Sequence, residues 1–298
     1  MTYHFLGTTK EQLSQIGFGC MSLKAGQASA ASIIDAALDG GINYFDTADL
    51  YEQGANEELI GSLLKPHRNK VFIATKVGNQ WREDGSGWDW NPRKEYIIQA
   101  VEASLKRLKT DRIDLYQLHG GTIEDPIEET IEAFEILKAA GKIRYYGISS
   151  IRPNVIRQYV EKSRISSVMM QYSVLDRRPE ESCLPLLVAN KITVLARGTL
   201  ASGMLINKAG KDYLGHTATE VNRIRLQLTE IAKRYEVEPE SVAIHYALSK
   251  PAIGAAVIGI RTMEQLEQAL KAINQQVPAG ALEEVESIVP AKTYADHR

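Results

Sequence analysis

Cysteine is almost missing from this chain: Cys20 and Cys183 are the only two in 298 residues. Two thiols cannot build a disulfide framework, and a reducing cytosol is the simple reading. Long apolar runs are missing too. None reaches the ~18 residues of a membrane span, and the opening MTYHFLGTTK has no apolar signal-peptide core. Neither sign of charge dominates, with 35 Lys and Arg against 37 Asp and Glu and a net charge of −2. Proteins that grip nucleic-acid backbones usually show a strong basic excess, so that class is set aside. No His-x-His or Glu/His cluster suggests a metal hydrolase. No Pro/Gly/Ser linker or low-complexity tract divides the chain. These absences predict a soluble, cytoplasmic, globular protein that buries roughly three quarters of its unfolded surface without staples. Domain-size priors of ~150 residues suggest two domains, but α/β barrels run to ~250 residues as one. Residues 1–298 are expected to form one such domain.

What the chain does contain is an alternation. Short apolar runs at 15–19 (QIGFG), 42–45 (INYF), 70–75 (KVFIAT), 113–118 (IDLYQL), 143–148 (IRYYGI), 167–171 (SVMMQ), 192–196 (ITVLA) and 255–259 (AAVIG) read as strands. Amphipathic stretches at 31–40, 94–108, 127–141 and 220–235 lie between them. Within 127–141, Ile127, Ile131, Phe134 and Leu137 recur at three- and four-residue steps, which marks one helical face. Gly141 then stands where a left-handed C-cap belongs. Strands alternating with helices imply parallel βαβ units, and eight units in this length fit a closed (β/α)8 barrel. The alternative is a doubly wound open sheet, whose nucleotide loop would have to be GFGCMS (17–22). That stretch lacks the third glycine, and such a partial match is weak. Ahead of the first barrel strand, 3–7 and 12–17 read as a small hairpin placed to plug the barrel floor. An extra helix is expected at the C-terminus.

In a barrel of this kind the active site forms at the C-terminal ends of the strands. The run INYF leads into Asp46, with Tyr51 five residues later in DTADLY; KVFIAT leads into Lys76, and IDLYQL into His119. A carboxylate, a phenol, an ammonium and an imidazole are thus expected at one mouth. Taken singly each has a plain structural reading: Asp46 a turn cap, Tyr51 one of 13 tyrosines, Lys76 a surface lysine, His119 a histidine satisfied beside Gly120 and Gly121. Together they form a chemistry. A free phenol holds its proton to near pH 10, and an ammonium beside it favours the phenolate. Lys76 is placed to do this, with Asp46 keeping the lysine charged. His119 is placed to polarise the substrate oxygen or share its proton. A phenol poised against a carbonyl oxygen is a general acid for reduction and a base in reverse.

The residues GINYFDTADLYEQGANEELIG (41–61), ATK (74–76) and DRIDLYQLHG (111–120) resemble the aldo-keto reductase superfamily. GFGCM (17–21), GKIRYYGISS (141–150), QYSVLDRRPEE (171–181), LASGML (200–205) and GIRTMEQLE (259–267) extend the resemblance over about residues 4–273. It is strongest to the bacterial branch that includes stress-type and sugar-locus reductases and is similar to potassium-channel β subunits. The resemblance implies that Tyr51 is the general acid, Asp46 and Lys76 its tuning pair and His119 the fourth member. It implies NADP(H) extended over the barrel mouth and a small carbonyl substrate. Gly19, Met21 and Asp46 would lie along the nicotinamide ribose, Ser149, Ser150 and Gln171 at the carboxamide, and Arg197 and Gly198 at the ring. Backbone amides at Leu200, Ser202 and Gly203 would meet the pyrophosphate, and Arg261 and Gln265 the adenosine 2′-phosphate. A guanidinium suits a phosphate dianion, so Arg261 favours NADPH over NADH.

Several positions depart from the family pattern. Glu52 follows Tyr51 where glycine is usual. Gly120 follows His119 in place of a larger residue, which would open the pocket. Ser150 replaces an asparagine, Arg197 an aromatic that stacks on the nicotinamide, and Gln268–Ala269 a Glu–Asn pair. The segment from Met204 to Glu220 is short where relatives have a longer cofactor-covering loop, which predicts looser retention of NADPH; Lys208 or Lys211 is the candidate to reach the pyrophosphate. All three tryptophans, Trp81, Trp88 and Trp90, fall in NQWREDGSGWDW (79–90). That stretch is read as a mouth loop, with Trp81 touching substrate and Trp88 and Trp90 anchoring it. Two other functions compete: a barrel aldolase using Lys76 as a Schiff base, and a nucleotide-binding regulatory subunit like the channel β subunits. Family membership does not choose among aldehydes, ketones and sugars, and leaves the oligomeric state open.

Overall fold

Side-chain alternation along the apolar runs decides the architecture. The structure, a computed structural model, describes residues 1–298. β1 (Tyr3–Phe5) and β2 (Gln12–Ser14) open the chain as an antiparallel pair. The eight apolar runs become β3 (Ile16–Gly19), β4 (Tyr44–Asp46), β5 (Phe72–Val77), β8 (Ile113–Leu118), β9 (Ile143–Ser149), β10 (Ser167–Gln171), β11 (Thr193–Arg197) and β12 (Ile253–Gly259). They pair in parallel and in chain order, and β12 closes on β3. The expected (β/α)8 barrel is therefore the observed fold, and the open sheet is not.

Because successive residues of a strand face opposite ways, each strand feeds two cores. Ile16, Phe18, Phe45, Ile73, Val77 and Tyr116 point outward into a core of 70 buried residues shared with the helices. Tyr44, Phe72, Ala74, Leu115, Met169, Leu195, Ala255 and Val257 point inward and fill the barrel. Leu6 and Leu13, from the opening hairpin, join this inner cluster, so the hairpin does close the barrel floor. One further step along the inward phase brings six of the eight strands to a polar residue at the C-terminal end, Asp46, Lys76, Gln117, Ser149, Gln171 and Arg197, and β3 and β12 to Gly19 and Gly259.

The crossover helices are α1 (Ala30–Asp39), α2 (Ala55–Leu64), α3 (Lys94–Leu108), α4 (Ile127–Ala139), α5 (Pro153–Lys162), α6 (Cys183–Ala189), α8 (Pro239–Leu248) and α9 (Met263–Asn274). In α4, Ile127, Phe134 and Leu137 are buried, as their spacing requires. Gly141 follows at φ +73, in the left-handed cap, and Lys142 N–H donates to Leu137 O at 3.0 Å to complete it. Two helices stand outside the eight-fold pattern, α7 (Ala218–Arg234), after β11, and α10 (Ala279–Ile288), near the C-terminus, and they pack on one another. α7 starts on a capping box between Thr217 and Glu220. No helix is long and apolar enough to cross a membrane.

The tryptophan stretch is not the irregular loop expected from its glycines and charges. It is a second hairpin, β6 (Asn79–Trp81) and β7 (Trp88–Trp90), with Trp81 opposite Trp88 and Asn79 opposite Trp90. Gly85, at φ +70, and the Asp84 carboxylate accepting from Ser86 N–H at 2.9 Å make the turn. Arg82 and Asp89 pair across the strands.

Candidate active site

Lys76 is the hub of the barrel mouth. Its side chain is only 1 % exposed. An ammonium carries three N–H donors, and all three are used: to Asp46 Oδ2 at 2.6 Å, Thr47 O at 2.7 Å and Tyr51 Oη at 3.4 Å. Burial works against its charge, but the Asp46 carboxylate overcomes it and holds the ammonium above the usual lysine range. An amine so bound is a poor nucleophile, which argues against a Schiff-base aldolase. Asp46 is steadied from its other side. Its Oδ1 accepts weakly from Gln117 Nε2 at 3.4 Å and Tyr44 Oη at 3.5 Å. Neither residue was singled out in the sequence, although the inward phase of their strands carries a signal for both.

Tyr51 sits on a single turn after β4. Glu52 and Gln53 there adopt φ +50 and +54, a left-handed backbone that favours glycine. Glu52 meets this strain with a second role: its carboxylate accepts from Ala25 N–H at 3.1 Å and pairs with Lys24, tying the β3–α1 connection to the tyrosine turn. The Lys76 ammonium lies 5.1 Å from the Tyr51 ring centre. His119 packs edge-on to the same ring, 5.9 Å between centres. Burial, then the positive charges of Lys76 and Arg197, pushes the His119 imidazole down to about 3. It is therefore neutral at any working pH, and its Nδ1 is enclosed without a partner.

Beneath the tyrosine turn lies a buried acid pair that sequence reasoning missed. Glu57 is held by Thr75 Oγ1 at 2.5 Å, Arg107 Nε at 2.7 Å and Ser104 Oγ at 3.3 Å. Asp49, two residues before Tyr51, has no such set, and its Oδ1 is buried without a partner. Burial, then the neighbouring Glu57, raises the Asp49 carboxyl to about 8, with Arg107, the Leu50 amide and Lys76 opposing. Raised in the fold, this group stabilises fully only below its unfolded value of about 4, and the contribution is lost as pH climbs to about 8. Asp49→Asn is thus expected to gain melting temperature over the parent progressively between pH 5 and pH 8.5. A constant offset between the two melting curves across that range would refute the assignment.

From this mouth a groove of 1110 Å³ runs outward along the ends of the strands. Of the residues singled out in the sequence, Gly19, Met21, Asp46, Tyr51, Lys76, His119, Ser149, Ser150, Arg197, Gly198, Leu200, Ser202, Gly203, Arg261 and Gln265 lie on its wall. Gln171 does not. Its amide is committed to two neighbours, donating to Tyr213 Oη at 2.8 Å and accepting from Arg197 Nη1 at 3.0 Å, so it orients Arg197. Of the 204–220 segment, Ile206, Asn207 and Lys208 reach the groove and Lys211 does not.

The groove suits a long anion. The N–H groups of Gly198, Thr199 and Leu200 donate to no protein acceptor. Ala201, Ser202 and Gly203 follow in left-handed backbone, φ +47, +57 and +91, the kind of turn that gathers amides around phosphate oxygens. The Gly203 amide itself is spent on Leu200 O at 2.8 Å, a correction to its expected role. Arg197, Lys208 and Arg261 on the wall have no carboxylate partner, and Glu240 is the only acid there besides Asp46. Burial holds the Glu240 carboxyl above its usual range, which further lowers the negative charge.

The tryptophans are distributed differently from expectation. Trp88 and Trp90 line the cavity, and Trp81 does not; its indole Nε1 is enclosed without a partner. Proximity to Lys76 along the chain misleads here, because the hairpin folds back and sets Trp90 opposite Asn79 at the barrel edge. The Trp90 ring packs over Gly78, where an added Cβ would come within 2.6 Å of it, and against Gly120. Its N–H donates to both Asp125 oxygens at 3.0 Å. The indole therefore covers Gly120, and the pocket is not opened there as the missing large side chain had suggested.

Residues 15–290 match the Aldo/keto reductase family. The chain belongs to that family. It is similar to the uncharacterized oxidoreductase YqkF of Bacillus subtilis, 46 % identical over 303 residues and covering 98 % of both chains. It is similar to the NADH-specific methylglyoxal reductase of Escherichia coli, 31 % identical over 301 residues, 90 % of this chain and 92 % of the relative. Among solved structures it matches the aldo-keto reductase AKR11C1 from Bacillus halodurans in its holo form, with a TM-score of 0.95, 44 % identity and coverage of 100 % and 99 %. Members of this family are oxidoreductases, and a nicotinamide cofactor and a carbonyl substrate accord with the groove and mouth described above.

Proposed function

We propose that the protein is an NADP(H)-dependent carbonyl reductase that converts aldehydes or ketones to alcohols, with Tyr51 as proton donor. The observation that carries this reading is the donor set of Lys76. The ammonium donates to Tyr51 Oη, which leaves the phenol's own O–H free for the substrate oxygen and stabilises the phenolate left after the proton departs. Neutral His119, facing the same ring, offers a hydrogen bond to that oxygen without competing for the proton. The amides of 198–200 would hold the pyrophosphate of a reduced nicotinamide cofactor and Ser149 and Arg197 would frame its ring, where the cofactor would supply the hydride for the carbonyl carbon. Asp46 keeps Lys76 charged while both stay shielded from water.

Arg261 supports the phosphorylated cofactor. It stands at the far end of the groove with no carboxylate partner, next to the first turn of α9, which Thr262 caps by accepting from Gln265 N–H. The Escherichia coli relative is named as NADH-specific, so the preference is a property to be read from each chain's own residues. A charged hydrogen bond contributes about 1.5–3 kcal/mol. Arg261→Ala is accordingly expected to lower the NADPH-over-NADH ratio of kcat/KM about tenfold or more, measured by absorbance of the reduced cofactor with a panel of aldehydes, dicarbonyls and sugars. A parent enzyme that prefers NADH, or a variant with an unchanged ratio, would overturn the cofactor assignment. No turnover on any carbonyl would overturn the activity.

A further inference from the structure

On the substrate side of the mouth stands one cation that the carbonyl chemistry does not use. Arg152 is the N-cap residue of α5, directly after the strand end that carries Ser149 and Ser150. Its side chain lies on the cavity wall near Gly120, Gly121 and Thr122, the residues that follow His119. Two local bonds fix it there: its backbone N–H donates to Ser150 Oγ at 3.1 Å, and its Nη1 donates to Gly121 O. No carboxylate pairs with it. Asp125, four residues past Gly121, turns its oxygens to the Trp90 indole and to Thr122 N–H and Oγ1 and makes no salt bridge with Arg152. The guanidinium is therefore positioned and in no salt bridge, with donors to spare.

The cavity that it lines also carries large apolar side chains, some of them open. Trp88 is 46 % exposed and Ile151 37 % exposed, and both line the same cavity, while the Trp90 ring forms the wall over Gly120. Large apolar side chains left open around a cavity mark a recognition surface, and indoles bind flat or apolar bodies well. A cation set among them favours a ligand that is apolar through its body and anionic at one end, since a planar guanidinium pairs with oxyanions in a forked geometry.

We propose that Arg152 anchors an oxyanion on the carbonyl substrate, so that the favoured substrates are aldehydes bearing a carboxylate, with the body of the molecule against Trp88 and Trp90. This deepens the reading of the mouth as a carbonyl-reducing site and rests on it. A single planar fork suits a carboxylate, and a phosphate as the source of the oxyanion enters the test beside it.

The experiment compares kcat/KM for 4-carboxybenzaldehyde with its neutral methyl ester, and for glyceraldehyde 3-phosphate with glyceraldehyde, with saturating reduced cofactor. The parent is expected to prefer the carboxylate over its ester about tenfold or more, and high salt to shrink that ratio. Arg152→Ala is expected to erase the preference while leaving the ester's kcat/KM within about twofold, and Arg152→Lys to restore part of it. An independent readout is quenching of tryptophan fluorescence by 4-(hydroxymethyl)benzoate in the oxidised-cofactor complex, which should weaken about tenfold in Arg152→Ala. A parent with no preference for the carboxylate, or a preference that survives Arg152→Ala, overturns the proposal while leaving the reductase reading intact. A preference confined to the phosphate pair overturns the carboxylate assignment. Failure of all four compounds with turnover on other carbonyls would also overturn the proposal, and failure of the whole carbonyl panel would instead overturn the reductase reading beneath it.

Discussion

Lys76→Met is expected to remove turnover and to destabilise the fold at the same time. The ammonium is the centre of three hydrogen bonds in a site almost closed to water, and its loss leaves the Asp46 carboxylate buried without its ion partner. Breaking a buried pair by removing one member costs about 3–5 kcal/mol. Asp46 is already pushed up by burial, with Lys76 as the main opposing influence. In the variant it would titrate higher still, and stability that depends on its neutral form is present at low pH and lost as pH rises. The melting temperature of Lys76→Met should therefore fall further below the parent at pH 8 than at pH 5. Adding Asp46→Asn separates the two effects. The double variant is expected to recover most of the stability, because the orphaned charge is gone, and none of the activity, because the phenolate of Tyr51 still has no ammonium beside it. A stable double variant that also turned over at the parent's rate would show that Lys76 serves the fold alone.

The same arrangement explains which parts of the molecule could be read from the chain. Every barrel strand is a short apolar run because inner and outer cores both demand apolar residues on alternate positions, so Phe45 and Tyr44 carry the signal together. The polar mouth is legible for a related reason: Asp46, Lys76 and His119 each break an apolar run at its C-terminal end, which is where a barrel places its chemistry. What escaped depends on contacts between distant positions. Gln117 reaches Asp46 across 71 residues, and Trp90 reaches Asp125 across 35. Nothing local to Gln117 distinguishes it from any polar residue on a strand, and only the inward phase of β8 picks it out. The tryptophan hairpin was hidden by its own composition. Gly85 and Gly87 with Asp84 read as a loop, and the two strands they join are three residues each, too short for a period to show. Gln171 was placed on the groove by resemblance, but Arg197, the residue that departs from the family's aromatic, takes its amide. One substitution thus reassigns its neighbour, which position-by-position comparison does not capture. Asp49 lies inside the most recognisable stretch, DTADLY, yet its raised carboxyl depends on Glu57 and on depth of burial, neither of which spacing reveals.

Tyr51→Phe is the sharper test of the chemistry, because it removes one oxygen and little else. The ring keeps its edge contact with His119, and the one hydrogen bond lost is the long one from Lys76 at 3.4 Å. Stability should change by less than about 1 kcal/mol, within the range for a single ordinary hydrogen bond. Lys76 keeps its bonds to Asp46 and Thr47. A positioned general acid contributes about 10²–10⁴-fold, so kcat should fall by that factor while binding of the reduced cofactor, followed by its fluorescence, stays within about twofold. The pH profile carries the second half of the argument. If His119 delivered the proton, kcat/KM would turn near the ordinary imidazole value of about 6.5. Burial beside Lys76 and Arg197 pushes His119 to about 3 instead, so a profile without a limb between pH 5.5 and 7.5 is expected in the parent. The sign agrees with stability: a histidine lowered in the fold keeps its contribution above about 6.5 and loses it progressively as pH falls from there toward 3. Retention of full activity by Tyr51→Phe, or a limb near 6.5 that His119→Gln abolishes, would transfer the proton-donating role from the phenol to the imidazole.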